Sequence, residues 1–302
     1  MAAPQSTGGR REDRMWTVAD ALAWTVDYFT RKEVENPRRS AEWLLSAATG
    51  LSRIELYAHF DRPLTEAERA EFRSAIERRA TGEPLQYVTG EMPFRHLVLQ
   101  VKPGVFIPRP ETEVLVDAVL EHLDRIGGDQ PAVLDLCTGS GAIAVSIAYE
   151  RPGVRVHATE IVPATAEVAR ENARRAGVED RVTVLDGDLF GPVPAGLRGA
   201  FDVVVSNPPY IPTADMAGLP TEVGGFEPRV ALDGGADGMD VVRRIAEDAQ
   251  GWLKPGGVVV VETDTSCAKE AARVLSRWYE GVEVRKDLTG RDRIAFGIRR
   301  EA

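Results

Sequence analysis

The sequence is poor in the residues that most often carry metal or redox chemistry. It has two cysteines and four histidines among its 302 residues. Cys137 and Cys267 lie far apart in the chain, and neither belongs to a spacing typical of a metal site, so we expect no bound metal. The histidines are scattered. A reducing cytoplasm is the simplest setting for such a chain.

Long apolar runs and a surplus of positive charge are also missing. No stretch approaches the ~18 consecutive apolar residues of a membrane-spanning helix, and the first fourteen residues lack the apolar core of a secretory signal. Lysine and arginine number 37 against 47 acidic residues, for a net charge of −10. This balance disfavours extended contact with a nucleic-acid backbone. We therefore expect no membrane association and no stable nucleic-acid binding, and we favour a protein or small-molecule substrate.

The hydrophobic content of 43% is sufficient for a folded core, and 302 residues are enough for one large or two ordinary domains. We expect residues 1–15 to form a disordered lead-in. Residues 16–82 follow a helical period, and Ser52 with Glu55 and Thr65 with Glu68 match the capping box at helix starts. The pattern predicts a small all-α domain. This domain contains no catalytic constellation, so it is equally consistent with a structural appendage and with a partner-recognition module.

Residues 83–113 form a predicted linker between this domain and the rest of the chain. Alternating apolar residues on either side of Lys102-Pro103-Gly104 predict a β-hairpin that turns there. Arg109 lies between two prolines in a stiff, extended segment. It could serve a site or form a structural salt bridge.

The last region, residues 114–302, alternates short apolar runs with helical stretches. The runs are AVLDLC, VRVHATE, RVTVLDGD, FDVVVSN and GVVVVET. This alternation predicts an α/β domain whose parallel sheet carries helices on both faces. A final pair of runs, VEVRKD and RIAFGI, predicts an antiparallel hairpin at the end of the sheet.

The stretch FDVVVSNPPY, residues 201–210, is the strongest chemical signal in the chain. Its β-branched apolar run predicts a strand buried on both faces, and Pro208 ends that strand because it has no N–H for a sheet. Asn207 is thereby presented at the carboxyl edge, where open α/β sheets bind ligands. The Asn207 side-chain oxygen and the Pro208 carbonyl can together accept both hydrogens of a planar NH2 group. Pro209 and Tyr210 complete the motif, and the Tyr210 ring offers a flat packing face.

A second signal is the glycine-rich turn DLCTGSG, residues 135–141, between the first strand of the α/β domain and a helix. Gly139 and Gly141 allow close approach of a ligand, but their spacing fails the dinucleotide fingerprint. Glu160 ends the next strand, where a carboxylate can accept the hydroxyls of a ribose. Asp188 is predicted to end the third strand, within reach of an adenine amino group. The set indicates an adenosyl ligand without a pyrophosphate, although acidic residues also end strands simply because that edge is solvated.

These features together resemble the class I S-adenosylmethionine-dependent methyltransferases, and more narrowly the HemK/PrmC family. The resemblance rests on PLQYVTG (84–90), FIPRPETE (106–113), DLCTGSGAIA (135–144), SNPPYI (206–211), GFEPRVAL (225–232) and GRDR (290–293). It implies a Rossmann-like fold and methyl transfer from S-adenosylmethionine to the glutamine side-chain amide in the Gly-Gly-Gln motif of class I peptide chain release factors. It implies that the front domain contacts the release factor.

The resemblance also implies roles for individual residues, which we keep as expectations. The cofactor would contact the glycine-rich turn at Asp135, Cys137, Thr138, Gly139, Ser140 and Gly141. Glu160 would bind its ribose, and Asp188 and Leu189 would border its adenine. Asn207 would also contact the cofactor. The substrate glutamine would meet Asn207, Pro208, Pro209 and Tyr210, with Asn207, Pro208 and Tyr210 as the catalytic set.

Three positions depart from the family pattern. Cys137 stands where glycine is common. Leu189 stands where an aromatic residue is common, so that adenine stacking could pass to Phe190 or be lost. The phrase ETDTSC follows the fifth strand in place of Glu-His-Gly, so no role is carried onto Glu262.

Two other functions stay open at this stage. An adenine N6 methyltransferase of DNA or RNA would use the same motif on the amine of a flipped base, but it would need a basic groove. A non-catalytic cofactor-binding scaffold would not need an intact Asn-Pro-Pro-Tyr motif.

Overall fold

The structure, a computed structural model, describes residues 15–301. The chain divides into two compact units, Met1–Thr89 and Gly90–Ala302. The expected lead-in falls almost wholly outside the described residues. Within residues 15–301, no helix is both long and apolar enough to cross a membrane.

The first unit is helical, as predicted. Thr65 caps the fourth helix, and the Glu68 carboxylate accepts the Thr65 N–H at 2.8 Å, which completes the expected capping box. Ser52 and Glu55 form the same arrangement one helix earlier. The helices close around a core that includes Phe29 and Leu44. They are α1 (Val18–Arg31), α2 (Pro37–Thr49), α3 (Arg53–Ala58), α4 (Glu66–Ala80) and α5 (Leu85–Thr89).

The second unit begins with the predicted hairpin, but the position of its turn was wrong. Strands β1 (Glu91–Phe94) and β2 (Leu97–Gln100) pair across Arg95 and His96, not across Lys102-Pro103-Gly104. Arg95 adopts a positive φ of 51°, which the turn requires. Its N–H donates to Glu113 at 3.0 Å and its guanidinium donates to Glu150 at 2.7 Å. Tertiary contacts of an arginine thus stabilise a turn that local turn chemistry does not predict.

The sheet of the second unit has seven strands in the order β5-β4-β3-β6-β7-β9-β8. Five parallel strands precede the predicted antiparallel pair. The strands are β3 (Ala132–Leu136), β4 (Arg155–Glu160), β5 (Val182–Asp186), β6 (Phe201–Ser206), β7 (Leu253–Glu262), β8 (Tyr279–Lys286) and β9 (Asp292–Arg299). Because β4 and β5 extend to one side of β3 and β6 to the other, a crevice opens beyond the carboxyl ends of β3 and β6.

Helices cover both faces of this sheet, as the alternating pattern predicted. On one face Val203 and Val205 pack in the same cluster as residues of α6 to α8, and on the other Val204 packs with residues of α10 and α11. Sequence analysis did not predict α9 and α11. The helices are α6 (Glu113–Ile126), α7 (Ala142–Glu150), α8 (Pro163–Arg175), α9 (Thr221–Gly224), α10 (Asp240–Asp248) and α11 (Ala268–Leu275).

Candidate active site

A cavity of about 650 Å³ lies at the carboxyl ends of the parallel strands, within the second unit. Its volume falls in the range of small-molecule sites. The sequence-predicted residues on its wall are Cys137, Thr138, Gly139, Ser140, Glu160, Asp188, Leu189 and the four residues Asn207 to Tyr210. The structure therefore brings the glycine-rich turn and the Asn-Pro-Pro-Tyr motif to one cavity.

Two members of the predicted cofactor set support the turn from behind and do not line the cavity. Asp135 is fully buried, and its carboxylate accepts the Thr138 hydroxyl at 2.6 Å and the Ala144 N–H at 3.2 Å. Burial raises the pKa of Asp135 to about 7. Gly141 has a φ of 83°, and a Cβ there would lie 3.1 Å from the Ala169 side chain. Both residues shape the turn.

Glu160 connects the turn to the end of β4. Its two carboxylate oxygens accept the N–H of Gly139 and of Val162, each at 3.0 Å. The side chain is largely buried but lies on the cavity wall, and burial raises its pKa. Each carboxylate oxygen keeps a further lone pair for a ligand donor. The position fits the predicted recognition of hydroxyl groups.

Asp188 lines the cavity, although it does not end a strand as expected. Strand β5 stops at Asp186, and Gly187, with a φ of 148°, separates it from Asp188. The Asp188 carboxylate accepts the Arg244 guanidinium at 2.6 Å. Arg244, which the sequence analysis missed, therefore shares this carboxylate with any ligand.

Leu189, not Phe190, provides the apolar wall beside Asp188. Leu189 is on the cavity surface, while the ring of Phe190 stacks on Trp252 with centroids 5.8 Å apart. The expectation that Phe190 could replace an aromatic residue at the adenine was thus wrong, because its ring belongs to the core. Ile161, directly after Glu160, is 51% exposed and also lines the cavity. An apolar residue next to a strand-terminal carboxylate was the signal that sequence reasoning overlooked.

Cys137 occupies the cavity wall with a backbone angle that favours glycine. Its φ is 59°. Burial, and next the charge of Glu160, raises the pKa of the thiol to about 12. The thiol is therefore neutral near pH 7, and it is not an activated nucleophile.

Asn207 follows β6 and lies on the cavity wall with its amide held by Thr112. The Asn207 Nδ2 donates to the Thr112 hydroxyl oxygen at 3.2 Å. This contact uses one of the two Nδ2 hydrogens and leaves Oδ1 as an acceptor. Tyr210 also lines the cavity, and burial raises the pKa of its phenol.

Arg109 forms the expected structural salt bridge and also lines the cavity. Its guanidinium pairs with Glu227, whose carboxylate also accepts the Ile107 N–H at 3.2 Å. Glu227 is almost fully buried and its pKa is raised by that burial, while the guanidinium lies 4.8 Å from the centroid of the Phe106 ring. The pair connects the phrase FIPRPETE with the phrase GFEPRVAL across the cavity wall.

The fold and this site define a class I methyltransferase domain. Family models match the chain as PrmC N-terminal domain over residues 20–90 and as methyltransferase small domain over residues 97–218. The release factor glutamine methyltransferase of Moorella thermoacetica is 45% identical over 94% of this chain and 99% of its own length. That of Geobacter sulfurreducens is 43% identical over 94% of this chain and 97% of its own length.

A solved structure agrees with the fold of the second unit. The 16S rRNA N2 G1207 methyltransferase of T. thermophilus, in complex with AdoMet and guanosine, matches 70% of this chain and 50% of its own with a TM-score of 0.53 and 21% identity. The chain therefore belongs to the PrmC/HemK family of release factor glutamine methyltransferases and contains an S-adenosylmethionine-dependent methyltransferase domain. The resemblance seen in the sequence is confirmed.

Proposed function

We propose that this protein transfers a methyl group from S-adenosylmethionine to the side-chain amide nitrogen of the glutamine in the Gly-Gly-Gln motif of class I peptide chain release factors. One observation carries the proposal beyond family membership. The Asn207 amide, fixed by Thr112, lies on the same cavity wall as Glu160 and the glycine-rich turn. A methyl donor and an amide acceptor can therefore meet in one cavity.

The residues present fit the adenosyl part of the cofactor. Glu160 keeps lone pairs for the ribose hydroxyls after accepting its two backbone N–H groups. Leu189 and Ile161 offer apolar walls on which an adenine can pack, and Asp188 can accept its amino group. Cys137, Thr138, Gly139 and Ser140 provide the wall for the amino-acid part. When bound, S-adenosylmethionine supplies an electrophilic methyl group on its sulfonium.

The chain's own residues supply alignment. An amide nitrogen is a weak nucleophile because its lone pair is delocalised into the carbonyl. Asn207 Oδ1 and the Pro208 carbonyl hold its two hydrogens and aim the lone pair, and their dipoles favour the positive charge that develops on nitrogen. Alignment of this kind contributes up to ~7–11 kcal/mol in well-oriented reactions. The amide nitrogen would take the methyl carbon that S-adenosylmethionine supplies, S-adenosylhomocysteine would leave with the electron pair of the broken carbon–sulfur bond, and the amide proton would pass to water.

Tyr210 and the helical unit complete the proposed recognition. The Tyr210 ring, on the cavity wall, packs against the planar amide. We assign the release factor's body to the helical unit Met1–Thr89. Since release factors act on the ribosome, we place the reaction in the cytoplasm.

A competition between acceptors tests the proposal. The purified protein is incubated with S-adenosylmethionine labelled in its methyl group, a class I release factor, and DNA and RNA together. We expect label in the release factor alone. Label in adenine of the nucleic acids would instead establish the adenine N6 activity, and no transfer to any acceptor would favour a non-catalytic scaffold.

A further inference from the structure

Glu262 lies beside Asn207 although no role was expected for it. Strands β6 and β7 pair in parallel with Ser206 opposite Val261, so Asn207, which follows β6, and Glu262, the last residue of β7, come next at the same level of adjacent chain segments. Glu262 is 1% exposed. A buried carboxylate next to the proposed catalytic amide needs an explanation, because burial of a charge is costly without a partner.

Thr112 lies at the start of α6, which packs against both β6 and β7. Its side chain is buried, and its hydroxyl oxygen accepts the Asn207 Nδ2 at 3.2 Å. The Thr112 hydroxyl is also the first of the groups that oppose the effect of burial on the pKa of the Glu262 carboxyl, and among residues 15–301 the buried Glu262 Oε2 has no hydrogen-bond partner. Thr112 thus contacts Asn207 and influences the buried Glu262 carboxyl.

The hydrogen-bonding capacity of the Thr112 hydroxyl determines which end of the Asn207 amide it can bind. Threonine has one hydrogen to donate and two lone pairs to accept with. When the hydrogen goes to a carboxylate, only lone pairs face Asn207, and only the NH2 end of the amide can bind them. The carbonyl end, Oδ1, must then face the opposite way, toward the acceptor position on the cavity wall.

We propose that Glu262 is a positioning residue that fixes the orientation of the Asn207 amide through the Thr112 hydroxyl. This inference rests on the proposed function for its catalytic consequence. It also gives the phrase FIPRPETE a purpose, since Thr112 belongs to that phrase.

The orientation depends on the protonation of Glu262. Burial raises its pKa to about 7. The charged groups around it are Arg109, Glu111 and Arg293, and Tyr210 and Asp264 lie in the same cluster. Above pH 7 the carboxylate accepts the Thr112 hydrogen and the amide is held correctly. Below it the carboxyl carries a proton of its own, competes as a donor for the Thr112 oxygen, and turnover falls.

Kinetics of five variants test the inference. We expect Glu262→Ala and Thr112→Val each to lower kcat roughly 10- to 100-fold, with KM for S-adenosylmethionine unchanged. We expect kcat of the double variant to be no lower than that of Thr112→Val alone. Glu262→Gln keeps an acceptor but cannot titrate, so it retains most activity at pH 8 and loses the decline near pH 7. Ser146→Ala removes a buried hydroxyl that has no hydrogen-bond partner among residues 15–301, and it leaves kcat unchanged. The inference would be overturned if Glu262→Ala lowered kcat by the same factor in the Thr112→Val variant as in the unaltered protein. It would also be overturned if kcat of Glu262→Gln still declined near pH 7.

A measurement without turnover separates this inference from the proposed function. The side-chain amide signals of Asn207 are assigned in a ¹H–¹⁵N spectrum by their loss in Asn207→Ala. We expect them to shift with pH near 7 in the unaltered protein and to stay fixed in Glu262→Gln. Signals that do not move in the unaltered protein would overturn the inference even if methyl transfer occurs. Moving signals without transfer to a release factor would support the inference while the proposed function fails.

Discussion

Two residues of the cavity wall adopt backbone angles that side-chain-bearing residues rarely occupy. Cys137 has a φ of 59° and Leu189 a φ of 46°. Such conformations cost about 1–3 kcal/mol each and persist where the surrounding structure enforces them. Both positions are ones at which the sequence departs from the family pattern. Both residues lie at the proposed cofactor site.

Glu160 provides the first prediction at this scale. Glu160→Ala removes two acceptors for backbone N–H groups and the proposed ribose contact, each a charge-assisted bond of about 1.5–3 kcal/mol. We expect S-adenosylmethionine affinity, measured by calorimetry, to fall at least tenfold. Asp186→Ala is the control, because Asp186 also ends a parallel strand but is exposed and pairs with Arg170. Equal affinities for Glu160→Ala and the unaltered protein would remove the ribose assignment.

Tyr210 provides the second prediction at the scale of single residues. If the Tyr210 ring acts as a packing face, Tyr210→Phe keeps that face. Tyr210→Ala removes it and weakens the binding free energy of the substrate amide by about 0.5–1.5 kcal/mol. We expect KM for the release factor to rise up to about tenfold in the alanine variant and to change little in the phenylalanine variant. Steady-state kinetics over release factor concentration measures this. A loss in Tyr210→Phe equal to that in Tyr210→Ala would show that the hydroxyl matters instead of the ring.

At the scale of elements, the Arg109–Glu227 pair joins two segments of the cavity wall. The Arg109 side chain is 30% exposed and that of Glu227 only 1%. Arg109→Met leaves a buried carboxylate without its cation, and we expect the free energy of unfolding to fall by about 3 kcal/mol. Glu227→Gln should cost less, because water can reach the remaining guanidinium.

Urea unfolding measures these changes. Arg273→Met, which breaks the exposed pair with Glu270, serves as the control and should leave the free energy of unfolding almost unchanged, because solvent screens the pair. A loss in Arg109→Met no larger than in this control would contradict the view that the pair holds the wall together.

Which elements could be predicted from sequence depends on whether local patterns decide them. The parallel strands and the capping boxes follow from periodicity and side-chain chemistry near each residue. The turn at Arg95 depends on Glu113 and Glu150, which come from other elements. Phe190 looked available for stacking because nothing local shows that Trp252 takes its ring. The contact between Thr112 and Asn207 could not be predicted, because it depends on where α6 packs against the sheet, and no sequence motif specifies that.

At the scale of the whole molecule, two units carry separate cores. The apolar clusters of Gly90–Ala302 are formed within that unit, and so is the cavity. A unit with its own core can fold alone. We expect residues 90–302, expressed alone, to bind S-adenosylmethionine with affinity close to that of the full chain.

Methylation of the release factor should differ, because we assign its recognition to the helical unit. We expect the fragment to require a much higher release factor concentration for half-maximal rate, measured by transfer of labelled methyl. An unchanged KM would reduce the helical unit to a structural appendage, the alternative that the sequence left open.

Mass spectrometry of a class I release factor after reaction with this protein and S-adenosylmethionine tests the central claim most directly. The account predicts one methyl group on the side chain of the glutamine in the Gly-Gly-Gln motif, formed by the unaltered protein and reduced about 100-fold in rate or more by Asn207→Ala. S-adenosylmethionine binding should survive in that variant. Methyl on another residue, or full activity of Asn207→Ala at the glutamine, would contradict the account.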